Sequence, residues 1–266
     1  MPRLTLPDGT ELSFTDAGSG PPLVLIHGSP GEGRSWARVT PLLADSFRVV
    51  IPDLPGYGRS DSLPGTVVDR TAAMGAAVGQ LIQSLDGAVH VCGHSYGGSV
   101  ALHAAVANPS KVTTLTLFEP VFFRALELSG EDAVLQPATR FFAAYADRVT
   151  GGEPEAVSDM IDYWFGSGTF ATLPLSAQGF LKAAAPKNGV DVRASLSEKL
   201  TPEQLAGFTN PTVVACGTAS PATAPAIAAA LARLLPHAQV EMIPGAHHGM
   251  LDTHANAVAA IIRETT

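Results

Sequence analysis

The stretch Val89-His90-Val91-Cys92-Gly93-His94-Ser95-Tyr96-Gly97-Gly98 decides how this chain is read. Val89 to Gly93 has the length and apolar character of a buried strand. The residues that follow, as far as Ala107, read as a helix, and Asn108-Pro109 stops it. Gly93-x-Ser95-x-Gly97 therefore falls where a strand turns into a helix. A serine on so tight a turn has a strained backbone, and residues two positions away must lack side chains or clash. The turn also points the first helical N–H groups and the helix dipole at the serine oxygen. A serine presented in this way is a candidate nucleophile. The plain alternative is a glycine-rich turn with a solvent-facing serine.

Outward from this stretch, short apolar strands alternate with helical segments. The strands are Leu23 to His27, Arg48 to Pro52, Val89 to Gly93, Thr113 to Phe118, Thr212 to Gly217 and Val240 to Ile243. Near-continuous apolar runs are expected where a sheet is covered on both faces. Val78, Leu81, Ile82 and Leu85 form a helical stripe, with Asp69 or Thr71 available as its cap. Ile227, Leu231, Leu234 and Leu235 form another, and Val258, Ile261 and Ile262 a third. The alternation predicts right-handed crossovers and a mostly parallel sheet. Ahead of it, Leu4 to Phe14 reads as a hairpin turning at Asp8-Gly9. Between Pro120 and about Gly207 no strand is evident. That region is helical in character and holds ten of the 17 Phe, Tyr and Trp residues. An insertion of this length is expected to cover a site; the plain alternative is a small helical subdomain whose aromatics only pack on one another.

Composition narrows the function classes. The chain has 266 residues, 46% hydrophobic and 15% charged, enough for one large folded domain. Its 16 Lys and Arg stand against 24 Asp and Glu, a formal charge of −8, and there is no basic run; a nucleic-acid partner is disfavoured. Two cysteines, Cys92 and Cys216, support neither a disulfide scaffold nor a zinc site, and no metal is expected. No signal-like apolar region and no apolar run of about 18 residues is present, so a soluble, cytoplasmic protein without a membrane partner is expected.

Four segments in order resemble the α/β-hydrolase superfamily over nearly the whole chain. They are Leu23-Val-Leu-Ile-His-Gly28, Pro52-Asp-Leu-Pro-Gly-Tyr-Gly-Arg-Ser60, the Gly93–Gly97 turn, and Ile243-Pro-Gly-Ala-His-His248. The resemblance implies an α/β fold with a mostly parallel eight-stranded sheet and helices on both faces. It also implies a helical cap after the sixth strand, here residues 121–207, on a core of 1–120 and 208–266. A triad in the order nucleophile, acid, histidine follows from it, with Ser95 first. Its oxyanion donors would be the N–H of Tyr96 and one from the loop after the first parallel strand, here Ser29. Gly245-Ala246-His247-His248 is similar to a Gly-Ala-Gly-His pattern, which makes His248 the base and puts His247 in place of a glycine. The other histidines are read as structural or loop supports.

The acid departs from the usual pattern. The common position follows the Thr212–Gly217 strand, where Ser220 stands instead of Asp, and no Asp or Glu occurs from Gln204 to Val240. Some members of the superfamily place the acid one strand earlier, which here is Glu119. Alternatively Glu119 caps its strand or pairs with Arg124, leaving a Ser-His dyad. Asp53 resembles a structural loop residue of the family. Substrate contacts are expected from Phe122, Phe123 and Trp164, with no cofactor and a small-molecule substrate. An ester or lactone is the commonest substrate in such a family. Carbon–carbon hydrolysis of a diketone-type ring-cleavage product is an alternative, and a non-catalytic ligand-binding protein is another. Serine at the turn disfavours epoxide hydrolysis and haloalkane dehalogenation, which use aspartate there.

Overall fold

The computed structural model describes residues 1–65 and 68–266. Eight strands form the sheet: β1 (Arg3–Thr5), β2 (Glu11–Ala17), β3 (Pro22–Ile26), β4 (Arg48–Pro52), β5 (Val89–His94), β6 (Val112–Phe118), β7 (Thr212–Gly217) and β8 (Ala238–Ile243). Their order across the sheet is β1-β2-β4-β3-β5-β6-β7-β8. β1 pairs antiparallel with β2, and β2 with β4; all later neighbours are parallel. The fold is the α/β-hydrolase fold expected from the sequence.

Alternation along each strand builds two cores. Successive side chains point to opposite faces, so Val24 and Ile26 enter one apolar cluster and Leu23 and Leu25 the other. Val50 and Val49 divide in the same way, as do Val214 and Ala215. The helices covering these faces are α1 (Thr40–Leu43), α2 (Arg70–Ser84), α3 (Tyr96–Ala107), then α4 (Arg124–Leu128), α5 (Asp132–Thr150), α6 (Val157–Phe165), α7 (Thr169–Thr172), α8 (Leu175–Leu196) and α9 (Pro202–Ala206), and finally α10 (Thr223–Leu234), α11 (Met250–Thr253) and α12 (Ala255–Thr265). The larger cluster takes Val78, Leu81 and Ile82 of α2 and Ile227 and Leu231 of α10. The smaller takes Leu43 of α1 and Val258, Ile261 and Ile262 of α12. Asp69 caps α2 by accepting from the Ala72 N–H at 3.2 Å.

One local reading needs adjustment. β8 is an edge strand whose Val240 and Met242 are exposed; only Ile243 is buried at its end. An edge strand lacks a neighbour on one side, so its apolar residues need not be covered. The aromatic region between β6 and β7 holds α4 to α9 and, among the described residues, no strand.

The sheet order reverses around β3, with β4 on one side and β5 on the other. In open parallel sheets the crevice beyond the strand ends at such a reversal is where ligands bind. Ser29 follows β3 and Ser95 follows β5, so both flank it.

Burial predicts unequal sensitivity along the sheet. Leu25→Ala, at a fully buried position, lowers the unfolding free energy by about 2–5 kcal/mol in urea titration. Val240→Ala on the exposed edge costs less than about 1 kcal/mol.

Candidate active site

Ser95 stands between β5 and α3 with φ 56° and ψ −126°. Only two non-glycine residues among the described residues have positive φ, and they are Ser95 and Glu119. Strain concentrated at two residues of one site is the pattern expected where function, not packing, sets the backbone. The neighbouring glycines are sterically required. A Cβ on Gly93 would lie 2.2 Å from the Gly97 carbonyl oxygen, and one on Gly97 would lie 2.3 Å from that of His27.

Three residues distant in sequence form one hydrogen-bonded chain. His248 Nδ1–H donates to Glu119 Oε2 at 2.7 Å. That bond leaves Nε2 as the acceptor, 2.9 Å from the Ser95 hydroxyl. All three residues are buried. Glu119 ends β6, and its other oxygen accepts from the Gly217 N–H at 2.8 Å and from the Ser220 hydroxyl. Burial pushes the Glu119 carboxyl up, but the His248 hydrogen bond and charge, with Gly217 and Ser220, hold it below its ordinary value. Ser220, at the position where an acid is usual, therefore orients the acid that comes from the adjacent strand. Arg124 does not pair with Glu119; it pairs with Glu127 at 2.6 Å.

The remaining histidines separate by their partners. His94 Nε2–H donates to the His248 carbonyl at 2.9 Å, and the two rings lie 4.8 Å apart. Desolvation, with the His248 ring beside it, pushes His94 down to about 3, so it stays neutral. His27 donates from Nδ1 to the Gly28 carbonyl and accepts at Nε2 from the Leu54 N–H, holding the loop after β3. His247 points elsewhere: its Nδ1 accepts from the Gly249 N–H, and its ring packs on Phe165. His103 pairs with buried Glu198 at 2.6 Å, behind the site. Asp53 accepts from the N–H groups of Gly33 and Arg59, consistent with a loop support.

A cavity of about 270 Å³ opens over Ser95. Its lining includes the apolar Phe123, Phe142, Met160 and Trp164 and the polar Ser29, Asn188, Asp191 and Ser195. Trp164 stacks on the His248 ring at 4.4 Å and 23°. The aromatics of the inserted helices thus pack on one another, as Phe142 does on Trp164, and face the cavity as well. Phe123 and Trp164 are where the sequence placed them. Phe122 is not on the cavity wall; it is fully buried in the larger core, because the turn after β6 directs it inward. Ser29 and Tyr96 both line the cavity, and among the described residues neither N–H donates to a backbone carbonyl. Asn188 and Asp191 went unnoticed in the sequence. Their signal is a polar stripe at i, i+3 and i+7, completed by Ser195, on the alanine-rich helix α8. Such a stripe normally marks a solvated face, but here it is buried.

The chain matches the alpha/beta hydrolase family model over residues 23–261. It belongs to the alpha/beta hydrolase family. A non-heme chloroperoxidase of Streptomyces lividans is 32% identical over 278 aligned positions, covering 96% of this chain and 95% of that protein. A soluble epoxide hydrolase of Corynebacterium sp. (strain C12) is 39% identical over 115 residues, which are 43% of this chain and 40% of that protein. The chain thus spans about two fifths of the length of that relative. Among solved structures, a thermophilic esterase from Thermogutta terrifontis superposes with a TM-score of 0.75 at 27% identity, covering 99% of this chain and 97% of that one. Among the described residues no helix is long and apolar enough to cross a membrane, and no group of three or more His, Cys, Asp or Glu could hold a metal.

The depressed His94 value gives a pH dependence of stability. Below about 6.5, the ordinary histidine value, the unfolded chain gains a proton at this position that the native state refuses until about pH 3. Native stability therefore falls as pH drops through that window. Loss of the Glu119 contribution, present above its ordinary value near 4.5, adds to the fall at the acid end. Melting temperatures measured from pH 7 to 4 decline for the wild type, and decline less steeply for His94→Gln, which keeps a donor for the His248 carbonyl.

Proposed function

We propose that the protein is a serine hydrolase that cleaves a neutral carboxylic ester or lactone through an acyl-enzyme. The observation that carries this reading is the unbroken hydrogen-bonded chain from Ser95 through His248 to Glu119. In the proposed mechanism Ser95 Oγ attacks the acyl carbon while His248 Nε2 takes its proton. Glu119 holds the imidazole tautomer and balances the imidazolium. The N–H groups of Tyr96 and Ser29 receive the developing oxyanion, an arrangement in which one lost donor costs on the order of 100- to 1,000-fold in rate. His248 then protonates the leaving oxygen, and water deacylates the enzyme with the roles reversed. In this reading residues 121–207 act as a cap, and Phe142, Met160 and Trp164 keep water from the acyl group. Neither a metal nor an organic cofactor enters any step.

The cavity wall favours an ester over the carbon–carbon alternative. A ring-cleavage diketone bearing a carboxylate needs a cation beside it, because an unpaired anion is costly to bury. No Lys or Arg is among the described residues lining the cavity; the charged groups there are Asp191 and Asp252. A non-catalytic binding protein would have no use for a nucleophile, base and acid in mutual contact.

The test is covalent and kinetic. A fluorophosphonate labels Ser95 stoichiometrically and labels Ser95→Ala not at all; an unlabelled, folded wild type would mean a binding protein. Glu119→Gln lowers kcat for a 4-nitrophenyl ester on the order of 1,000-fold or more. Ser220→Ala, which removes one of several hydrogen bonds to Glu119, costs about tenfold or less. Equal activity of Glu119→Gln and wild type would reject the assigned acid.

Charge discriminates among substrates. Across paired esters of equal size, a neutral acyl group is turned over with kcat/KM at least about tenfold above its ω-carboxylate counterpart, since no Lys or Arg among the described lining residues is there to balance the added charge. A preference for the carboxylate would reopen the carbon–carbon reading.

A further inference from the structure

The polar residues lining the cavity have no part in the chain from Ser95 to Glu119, yet several buried hydrogen bonds link them to one another and to the core. Asp191, 1% exposed, lies on α8 in the inserted region. Its Oδ1 accepts from Arg70 Nε at 2.5 Å, at the start of α2. Its Oδ2 accepts from the Ser29 hydroxyl at 2.7 Å and from the Tyr57 hydroxyl. Ser29 Oγ in turn accepts from Asn188 Nδ2 at 3.0 Å. Asn188 is itself fixed by the Tyr145 hydroxyl of α5 at 2.6 Å. One buried carboxylate thus ties α8 to α2 and to the loops after β3 and β4.

A buried ion pair is a weak source of stability, because desolvation offsets most of the Coulomb attraction. Its distinctive product is geometry. The Ser29 hydroxyl is held by Asp191, and Ser29 lines the same cavity as Ser95. The loop is also tight against the nucleophile: a Cβ on Gly28 would stand 3.0 Å from Ser95 Cβ. A rotation of the loop large enough to break the Ser29–Asp191 bond would also move the Ser29 N–H relative to Ser95.

We infer that Asp191 is a positioning residue for the oxyanion site. Acting through the Ser29 hydroxyl, it locks the loop after β3 so that the Ser29 N–H faces the oxygen of an acyl group on Ser95. The donor pair is then complete only when α8 is seated. The inference rests on the serine-hydrolase reading above and adds a residue to it from the inserted helices.

The experiment is a double-mutant cycle on Ser29→Ala, Asp191→Asn and their combination, with 4-nitrophenyl acetate as substrate. Each single change lowers kcat about 10- to 100-fold while KM moves less than about threefold, because the lost contact acts on the transition state. The double variant falls within about threefold of the lower single, since both break one linkage. Inhibition by phenylboronic acid, which forms a tetrahedral adduct on the serine, weakens in step with kcat, and Ser29→Thr restores both by returning the hydroxyl. Unchanged kcat, multiplicative losses in the double variant, or undiminished boronate affinity would overturn the inference and leave Asp191 as a tie between helices. Should Asp191→Asn fail to fold, the Ser29 series with its threonine rescue and boronate readout decides alone. Fluorophosphonate labelling of the wild type separates the two levels. Labelled enzyme with indifferent variants defeats only the role of Asp191, whereas unlabelled wild type defeats the serine reading and this inference with it.

Discussion

The contact between the Glu119 carboxylate and the His248 imidazole constrains the rest of the site. A carboxylate buried at the end of a strand must be neutralised or richly hydrogen-bonded. Glu119 meets that demand with groups from two other strand ends: His248 beyond β8, and Gly217 and Ser220 at β7, both reached from β6. The arrangement is tolerable only with the sheet fully assembled, since none of the partners is local in sequence. It also dictates the imidazole tautomer, and hence that the nitrogen facing Ser95 is an acceptor.

The position of the acid has a simple geometric origin. β6 and β7 are parallel neighbours, with Phe118 level with Ala215, and the Glu119 N–H donates to the Ala215 carbonyl at 2.9 Å. Adjacent strands lie about 4.8 Å apart, so a carboxylate can reach the histidine from either strand end. The longer glutamate side chain spans the difference, and its positive φ turns it toward β7. Ser220 then fills the neighbouring position as a donor to the carboxylate. The departure from the usual Gly-x-x-Asp pattern is thus a relocation of the acidic group by one strand.

The inserted helices contribute two different surfaces. α5 and α6 present an aromatic wall, and Trp164 lies flat on the His248 ring. α8 presents a polar wall whose groups satisfy one another through buried bonds to the core. A cavity lined by both apolar and polar residues suits a substrate with an apolar acyl body and a polar reacting end. The same α8 contacts tie the helices between β6 and β7 to the loop beside Ser95.

Much of this was legible along the chain because it depends on local rules. Strand and helix periods follow from residue spacing, and the need for Gly93 follows from its close approach to Gly97 within the turn, although Gly97 itself is crowded by His27 of the neighbouring strand end. The carboxylate-free run from Gln204 to Val240 pointed to Glu119 by elimination of the usual site together with the family pattern. Other features required the tertiary structure, because they are relations between segments that local rules do not connect. Phe122 and Phe123 are adjacent and chemically identical, and both join the larger core, yet only Phe123 also lines the cavity. Val240 and Met242 look like buried strand residues until the sheet order makes β8 an edge. Asp191 reads as one more charge on an exposed helix until packing brings Arg70, Tyr57 and Ser29, each more than 100 positions away, against it. Periodicity and sterics act over a few residues and are written in order along the chain; burial, sheet order and the pairing of distant charges arise only when the chain closes on itself.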